Sequence, residues 1–241
     1  MSTSAGSPAD TVNRGDLAPV PGVPRGGDLP LRERKKLRTR RALADAALRL
    51  FTERGFEATT LDQVVGAVEV SKRTFFRNFS CKEEAVLTGE TELWGEFVTA
   101  LADRDLCGML LTAVGDTLLD TVRSIVEISG DDQWWDRYLR ERRLLADTPT
   151  LRAYGMVFCA NVQREIVSQV GARLGLGPAG DLRLRLLVDQ VVVAWRCATE
   201  DWITAGGADG AEGVHARLAQ ALAALPTSLA LTAAECTAGV P

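Results

Sequence analysis

The stretch Thr59-Thr-Leu-Asp-Gln-Val-Val-Gly-Ala-Val-Glu-Val-Ser-Lys-Arg-Thr-Phe-Phe-Arg-Asn-Phe79 decides the fold of this 241-residue chain. It divides into two short segments with helical apolar spacing, 61–68 and 72–78. Thr60 and Ser71 stand directly before these segments, and Ser80 stands before the next predicted helix. At each position a hydroxyl can accept a hydrogen bond from a free amide of the first turn. Two short capped helices joined by a tight turn predict a helix-turn-helix.

The second of these helices has two chemically different faces. Phe75 and Phe79 lie four residues apart and can pack inward, while the outward positions hold Lys72, Arg73, Phe76 and Arg77. A basic and aromatic face on a short helix is unsuited to burial, but it suits contact with phosphates and base edges. We therefore predict that this helix enters the major groove of DNA.

A basic helix precedes the motif. Residues 31–41 contain seven Lys and Arg and run into an amphipathic segment that Gly55 ends. We predict that residues 31–80 form a three-helix DNA-binding domain. Residues 1–30, with five Pro and five Gly, cannot bury enough apolar surface to offset the entropy of ordering, and we expect a disordered tail.

The charge is unevenly distributed along the chain. Residues 30–82 hold 13 Lys and Arg against 6 Asp and Glu, whereas residues 83–241 hold 13 against 23. A basic segment on an acidic body indicates that only one end of the protein meets a polyanion.

The remainder of the chain also has helical periodicity. We predict helices at about 81–103, 107–128, 132–146, 150–174, 181–205 and 210–224, and we find no alternating strand pattern. The expected fold is all-α, with a larger helical body over residues 81–225. Residues 226–241 are expected to be a disordered tail.

The run from Gly55 to Glu83, and above all its ending Thr74-Phe-Phe-Arg-Asn-Phe-Ser-Cys-Lys-Glu83, resembles the signature of the TetR (tetracycline repressor) family. The resemblance covers about residues 31–87. The family usually has Ala-Gly in the turn and Tyr in the third helix, where this chain has Val68-Glu69 and Phe76. The resemblance implies an N-terminal helix-turn-helix domain followed by a ligand-binding and dimerisation domain.

Matching positions carry the family's DNA contacts onto this chain. The resemblance implies that Lys72, Arg73 and Thr74 reach base edges or phosphates, and that Phe76 lies against sugars or thymine methyl groups. Phosphate contacts are expected from Thr60, Arg77 and Lys82, with backbone or minor-groove contacts from the basic arm. The full set of expected DNA-binding residues is Arg38, Arg40, Thr60, Ser71, Lys72, Arg73, Thr74, Phe76, Arg77 and Lys82.

The acidic body has no nucleophile elbow, phosphate loop or histidine pair, so we predict no enzyme activity. Its aromatic and soft side chains could line an apolar effector pocket, although core packing is the more common role for each such side chain. The candidates are Trp94, Phe97, Met109, Trp134, Trp135, Tyr138, Met156 and Phe158. Arg140, Arg142 and Arg143 could anchor an anion, or they could form a solvated helix face paired with Asp136 or Glu141.

One apolar stripe in the predicted helix at 181–205 is a candidate dimer interface, because the family dimerises through its last two long helices. The alternative is that this helix lies wholly inside one subunit. The stripe comprises Leu184, Leu187, Val188, Val191, Trp195, Ala198 and Trp202, and Val192 and Val193 widen it.

The leading functional hypothesis is therefore a homodimeric repressor that a small apolar or amphipathic ligand releases from a near-palindromic DNA operator. The alternative is a ligand-independent DNA-binding regulator, related to the nucleoid or to cell division. Five scattered cysteines without CxxC spacing and a single histidine indicate no disulfide framework, metal site or cofactor. With neither a signal peptide nor a membrane-spanning run, a cytoplasmic location without membrane association is expected.

Overall fold

The computed structural model describes residues 31–177, 181–228 and 230–231, and within these residues the chain is helical and has no strand. The predicted all-α fold is therefore confirmed. The helices are α1 (Leu31–Arg54), α2 (Leu61–Ala67), α3 (Lys72–Phe76), α4 (Lys82–Val86), α5 (Thr88–Asp103), α6 (Leu110–Ser129), α7 (Trp134–Asp147), α8 (Pro149–Arg173), α9 (Leu182–Thr204) and α10 (Gly210–Ser228).

Two boundaries differ from the sequence prediction. The helix expected at about 81–103 is broken at Leu87 into α4 and α5, and the free amides at the start of α5 bond to a carboxylate from α7. Helix α10 continues through Pro226 to Ser228, so residues 226–228 are helical and do not belong to a disordered tail. The tail expected over residues 1–30 lies outside the described residues.

Helices α1–α4 pack around one apolar core. Its largest members, Phe51, Phe75 and Phe79, are at most 1% exposed. The same core includes Leu145 at the end of α7 and Leu151 at the start of α8. We call α1–α4 the head and α5–α10 the body. The head therefore shares its core with the body, and a shift of α7 or α8 acts directly on the head.

Capping follows the sequence prediction at two of three sites. The Thr60 hydroxyl accepts a hydrogen bond from the Gln63 amide while the Gln63 side chain accepts one from the Thr60 amide. The Ser71 hydroxyl accepts from the Thr74 amide. The expected Ser80 cap of α4 is wrong, because Cys81 holds the N-cap position and the amide and hydroxyl of Ser80 both donate to the Glu84 carboxylate.

The turn between α2 and α3 places a side chain in the left-handed region. Glu69 has φ 54°, and it is the only non-glycine residue with positive φ in the described part of the chain. We expect Glu69→Gly to stabilise the protein by up to about 1 kcal/mol, because glycine adopts this backbone without steric cost. Thermal unfolding measures the gain, and Glu57→Gly is an exposed control without positive φ. A lower melting temperature for Glu69→Gly would show that the carboxylate contributes more than the backbone strain costs.

The body packs α5–α10 around a second core rich in aromatic rings. Trp94, Trp134, Tyr138 and Trp202 are completely buried there. Helix α9 runs along α10 and α8, and α10 also packs on α6. Helices α5 and α7 bring their aromatic side chains to the same region as those of α9.

Candidate DNA-binding surface and effector region

The outer face of α3 presents the side chains predicted to meet DNA. Lys72, Arg73 and Arg77 are exposed, and the Phe76 side chain is 56% exposed although it is a large apolar group. Phe75, one residue before, is buried against Phe79 with ring centroids 5.4 Å apart. The division of this helix into an inner aromatic face and an outer basic face is confirmed.

Three of the expected contact residues already have partners within the protein. Lys72 forms an ion pair with Asp62 of α2 at 2.9 Å, where both side chains are exposed. The hydroxyls of Thr74 and Ser71 lie 3.1 Å apart. An exposed ion pair of this kind contributes little to stability, so Lys72 can exchange Asp62 for a phosphate at small cost.

Arg40 binds within the head. Its guanidinium donates to the backbone carbonyl of Asn78, lies 4.2 Å from the centroid of the Phe79 ring, and is 3.4 Å from the Glu84 carboxylate. These contacts attach α1 to the end of α3 and to α4. Arg40 is therefore placed as a packing residue, whereas Arg38 remains exposed on α1.

Lys82 is held in a similar way. Its ammonium group donates to the carbonyls of Phe56 and Thr59 at 2.7 and 3.1 Å, and it lies 4.0 Å from the centroid of the Phe56 ring. The residue thus ties the loop between α1 and α2 to the start of α4. The family resemblance implied a phosphate contact here. The partners of Lys82 within the chain are backbone atoms, which no side-chain pattern reveals.

The candidate pocket residues fall into two groups. Trp94, Phe97, Trp134, Trp135 and Tyr138 lie together in the body core, at most 7% exposed. Phe158 is half-buried and touches both cores. Met109 and Met156 are 67% and 69% exposed, so they are not interior residues and their expected place in the pocket is wrong.

Most of the apolar stripe of α9 is buried within its own chain. Leu184, Val188, Val191, Trp195 and Trp202 are all at most 3% exposed within a single chain, where they form part of the body core. The predicted place of these five residues in a dimer interface is therefore wrong. Leu187 is only partly buried and Val193 is 40% exposed, so a dimer contact at these two residues stays a prediction. The five residues are buried because α9 packs on four helices of its own chain, α6, α7, α8 and α10. Its exposed apolar residues, Leu182, Leu186 and Val193, lie elsewhere on the helix.

A buried polar network lies beside the aromatic rings. Glu90 of α5 accepts hydrogen bonds from the Trp94 indole at 2.9 Å and from the Tyr138 hydroxyl at 2.8 Å, and it pairs with Arg142 at 2.5 Å. The residue Glu90 is only 2% exposed. Sequence analysis did not select Glu90, although an acidic residue four positions before a buried tryptophan was an available signal.

Glu141 of α7 caps the start of α5. Its two carboxyl oxygens accept from the backbone amides of Gly89 and Glu90 at 2.8 and 3.1 Å. Burial, followed by the nearby Glu90 carboxylate, raises the pKa of Glu141 to about 8. The break between α4 and α5 is thus built around a carboxyl group that is shielded from solvent.

The three arginines after the aromatic cluster point to different partners. Arg142 is half-buried and pairs with Glu90, whereas Arg143 is exposed and donates to the carbonyl of Gly206. Arg140 donates to the carbonyl of Asp136 on its own helix. They therefore do not form a single anion-binding cluster.

Two cavities accompany these features. A cleft of about 770 Å³ runs between α8 and α9, lined by side chains that include Arg164, Arg185 and Asp189. A polar pocket of about 190 Å³ lies where α1 meets the connection between α6 and α7, and it is lined by Arg41, Asp45 and Arg137 among others. Arg41 also donates to the carbonyl of Ser129, which joins the head to the body.

Within residues 31–177, 181–228 and 230–231, no group of three or more His, Cys, Asp or Glu could hold a metal ion. The cysteines at 81, 107, 159 and 197 are free thiols. None of the helices described is long and apolar enough to cross a membrane.

Comparisons with known proteins agree with this arrangement. The family model of the bacterial regulatory proteins of the TetR family matches residues 43–87, and that of the MftR C-terminal domain matches residues 112–230. The HTH-type transcriptional regulator TcmR of Streptomyces glaucescens is 34% identical over 175 residues, which cover 71% of this chain and 76% of TcmR.

A second relative is MftR of Mycobacterium tuberculosis, whose name gives its role in the regulation of mycofactocin biosynthesis only provisionally. It is 27% identical over 173 residues, covering 70% of this chain and 82% of MftR. A solved structure from Mesorhizobium loti, described as a TetR-family transcriptional regulator, has 17% identity and a TM-score of 0.41 over 78% of this chain and 97% of that chain. A TM-score this low adds nothing to the assignment. By its match to TcmR and to the family models of both its halves, this chain belongs to the TetR family, and it is a DNA-binding transcriptional regulator and not an enzyme.

Proposed function

We propose that this regulator is a cytoplasmic homodimeric repressor, and that a small apolar or amphipathic effector bound in its body releases it from a near-palindromic operator. The observation that carries the DNA-binding part is the exposed outer face of α3, where Arg73 and Arg77 flank an exposed Phe76. Such a face meets phosphates and base edges when the helix lies in the major groove.

The proposed release follows from the geometry of a dimer on DNA. Two recognition helices fill both half-sites only when they stand roughly 34–36 Å apart. An effector that prefers a body shape with another spacing weakens DNA binding by its differential affinity for the two shapes. The shared core at Leu145 and Leu151 and the bond from Arg41 to Ser129 offer routes for this coupling.

A ligand-independent regulator remains the second candidate. The observation in its favour is that the buried rings of the body pack directly on one another, with Trp134 and Tyr138 stacked at a centroid distance of 5.0 Å. A body of this kind could serve only as a rigid dimerisation unit. Operator binding that no body ligand alters would support this reading.

We propose that Arg73 reads a base and that Arg77 contacts the phosphate backbone. Arg73→Ala should then relax discrimination at one operator position by ~1–3 kcal/mol, while Arg77→Ala should weaken all sequences alike and reduce the salt slope by about one. After operator selection from genomic fragments, fluorescence anisotropy with single-base variants measures both effects. The exposed Arg164 of α8, replaced by alanine, is the control. A uniform loss for Arg73→Ala would contradict its base-reading role.

For the dimer, we propose an interface on the exposed side of α9 around Leu186 and Val193. Val193→Arg should give a folded monomer, because a charge in an apolar interface without a partner is costly. Trp195→Arg should instead unfold the chain, since Trp195 is 3% exposed within one subunit. Light scattering and circular dichroism distinguish these outcomes. An unchanged dimer for both Leu186→Arg and Val193→Arg would place the interface on another face.

A further inference from the structure

Two tryptophans of the body core carry indole N–H groups that have no acceptor. Trp135 and Trp195 are 7% and 3% exposed, and neither Nε1 atom forms a hydrogen bond. By contrast, the indoles of Trp94 and Trp134 donate to Glu90 and Glu92 at 2.9 and 2.8 Å. The N–H of Trp202 also lacks a hydrogen bond, but the Asp209 carboxylate lies close enough to serve as its acceptor.

Buried donors without acceptors are rare because each loses its hydrogen bond to water and gains nothing in return. Phenylalanine would fill most of the same volume without that cost. Two such donors in one cluster therefore indicate that another molecule supplies their hydrogen-bond acceptors.

The surroundings of the two indoles favour a flat molecule. The Trp135 ring lies 5.7 Å from Tyr138, and the Trp195 ring lies 6.2 Å from the same tyrosine. Tyr138 in turn is stacked on Trp134 with an angle of 15° between the ring planes. Aromatic faces and edges of this kind bind a planar aromatic ring by offset stacking or edge-to-face contact.

The charges beside the cluster favour a neutral molecule. Arg142 is paired with Glu90, and Arg137 is paired with Glu92 and Asp131. An anionic ligand would meet arginines whose charge is already balanced by Glu90, Glu92 and Asp131. A cationic ligand would have to enter beside arginines that are already in place.

We infer that the effector is a neutral, planar aromatic compound whose carbonyl or other acceptor oxygens bind the indole N–H groups of Trp135 and Trp195. The inference rests on the effector control proposed above, and it names the chemical class of the effector. Because the rings contact one another, the compound must part them as it enters, so binding itself changes the arrangement of α7 and α9.

The first test removes the N–H groups and keeps aromatic rings in place. Trp135→Phe and Trp195→Phe should leave the melting temperature of the free protein unchanged. Trp94→Phe and Trp134→Phe, which remove the same ring volume, should lower it. The difference arises because only the second pair removes a hydrogen bond to a carboxylate, that of Glu90 or Glu92. An equal fall for all four variants would show that Trp135 and Trp195 already have acceptors, such as buried water, and would overturn the inference.

The second test compares ligands of the same outline with and without acceptors. The probes are 9,10-anthraquinone and 9-fluorenone, against anthracene and fluorene, with binding measured by equilibrium dialysis. The ketones should bind the wild-type protein about tenfold more tightly or better, and this advantage should vanish in the Trp135→Phe, Trp195→Phe double variant. A wild-type protein that shows no ketone advantage, or a double variant that retains it, refutes the inference.

Operator binding separates this inference from the proposed function. If a ketone binds through both indoles but leaves operator affinity unchanged, the site is supported and effector release is refuted. If anthracene releases the operator as well as anthraquinone does, effector release is supported and the acceptor requirement is refuted. Release by the ketones alone supports both.

Discussion

Glu90→Gln is expected to lower the free energy of unfolding by about 3–5 kcal/mol, because it leaves the buried charge of Arg142 without its partner. The wild-type carboxylate accepts from the Trp94 indole and the Tyr138 hydroxyl as well as from Arg142. A glutamine amide places an NH₂ group where one of these donors now finds an oxygen. The substitution thus removes the negative charge of Glu90 and places the new NH₂ group opposite another hydrogen-bond donor.

Chemical denaturation of the free protein measures this loss. Glu127→Gln on the exposed side of α6 is the control, and its effect should stay within about 0.5 kcal/mol. Adding Arg142→Met to Glu90→Gln should recover part of the stability, because the unpaired buried charge is then gone. If Glu90→Gln alone costs less than about 1 kcal/mol, Arg142 does not depend on Glu90 for its burial.

Gly89→Ala is the second substitution with a large expected effect. A Cβ atom at this position would lie 2.8 Å from Cδ2 of Tyr138 and 2.9 Å from Oε2 of Glu141. Both neighbours are buried and fixed by hydrogen bonds, so they cannot withdraw freely. We expect a loss of about 1–3 kcal/mol from overpacking, with weakening of the bond between Glu141 and the Gly89 amide.

Gly66 provides the matched comparison for this prediction. It is a helical glycine of α2 whose added Cβ would meet nothing within 4 Å. Gly66→Ala should therefore stabilise the protein by up to about 1 kcal/mol through helix propensity. Thermal unfolding of both variants gives the comparison, and a stabilising Gly89→Ala would show that the start of α5 yields easily to added volume.

These residues hold the junction between α4 and α5 in place. Helix α4 belongs to the core of the head, while α5 supplies Trp94 and Phe97 to the body. The first amides of α5 are bound by Glu141 of α7, and Glu90 of α5 is bound by Arg142 of the same helix. Any ligand that shifts α7 therefore acts on the element that carries the head.

Local spacing was sufficient to predict the DNA-binding head. The caps at Thr60 and Ser71 and the inward Phe75 and Phe79 involve neighbours within one or two helical turns. Helix periodicity determines such contacts almost completely, because residues three and four apart share a face. The same periodicity located the helices of the body to within a few residues.

Local patterns do not predict contacts between distant residues, such as the partners of Arg40 and Lys82 within the chain and the burial of most of the α9 stripe. The local sequence pattern is the same for a basic residue on an exposed arm and for Lys82, which binds a backbone carbonyl 26 positions away. An apolar stripe tells that a helix buries one face, but not whether that face meets its own chain or a partner.

The sequence by itself determined the all-α class, the helix-turn-helix and the chemistry of its outer face, since these depend on interactions along one short segment. Only the tertiary structure decided that Leu184, Val188 and Trp195 face inward, and that Glu90, Glu141 and Arg142 meet beside the aromatic rings. The physical reason is that burial and pairing depend on which helices pack together. That choice is made by the whole core at once, through shape and volume, and not by the pattern of any one helix.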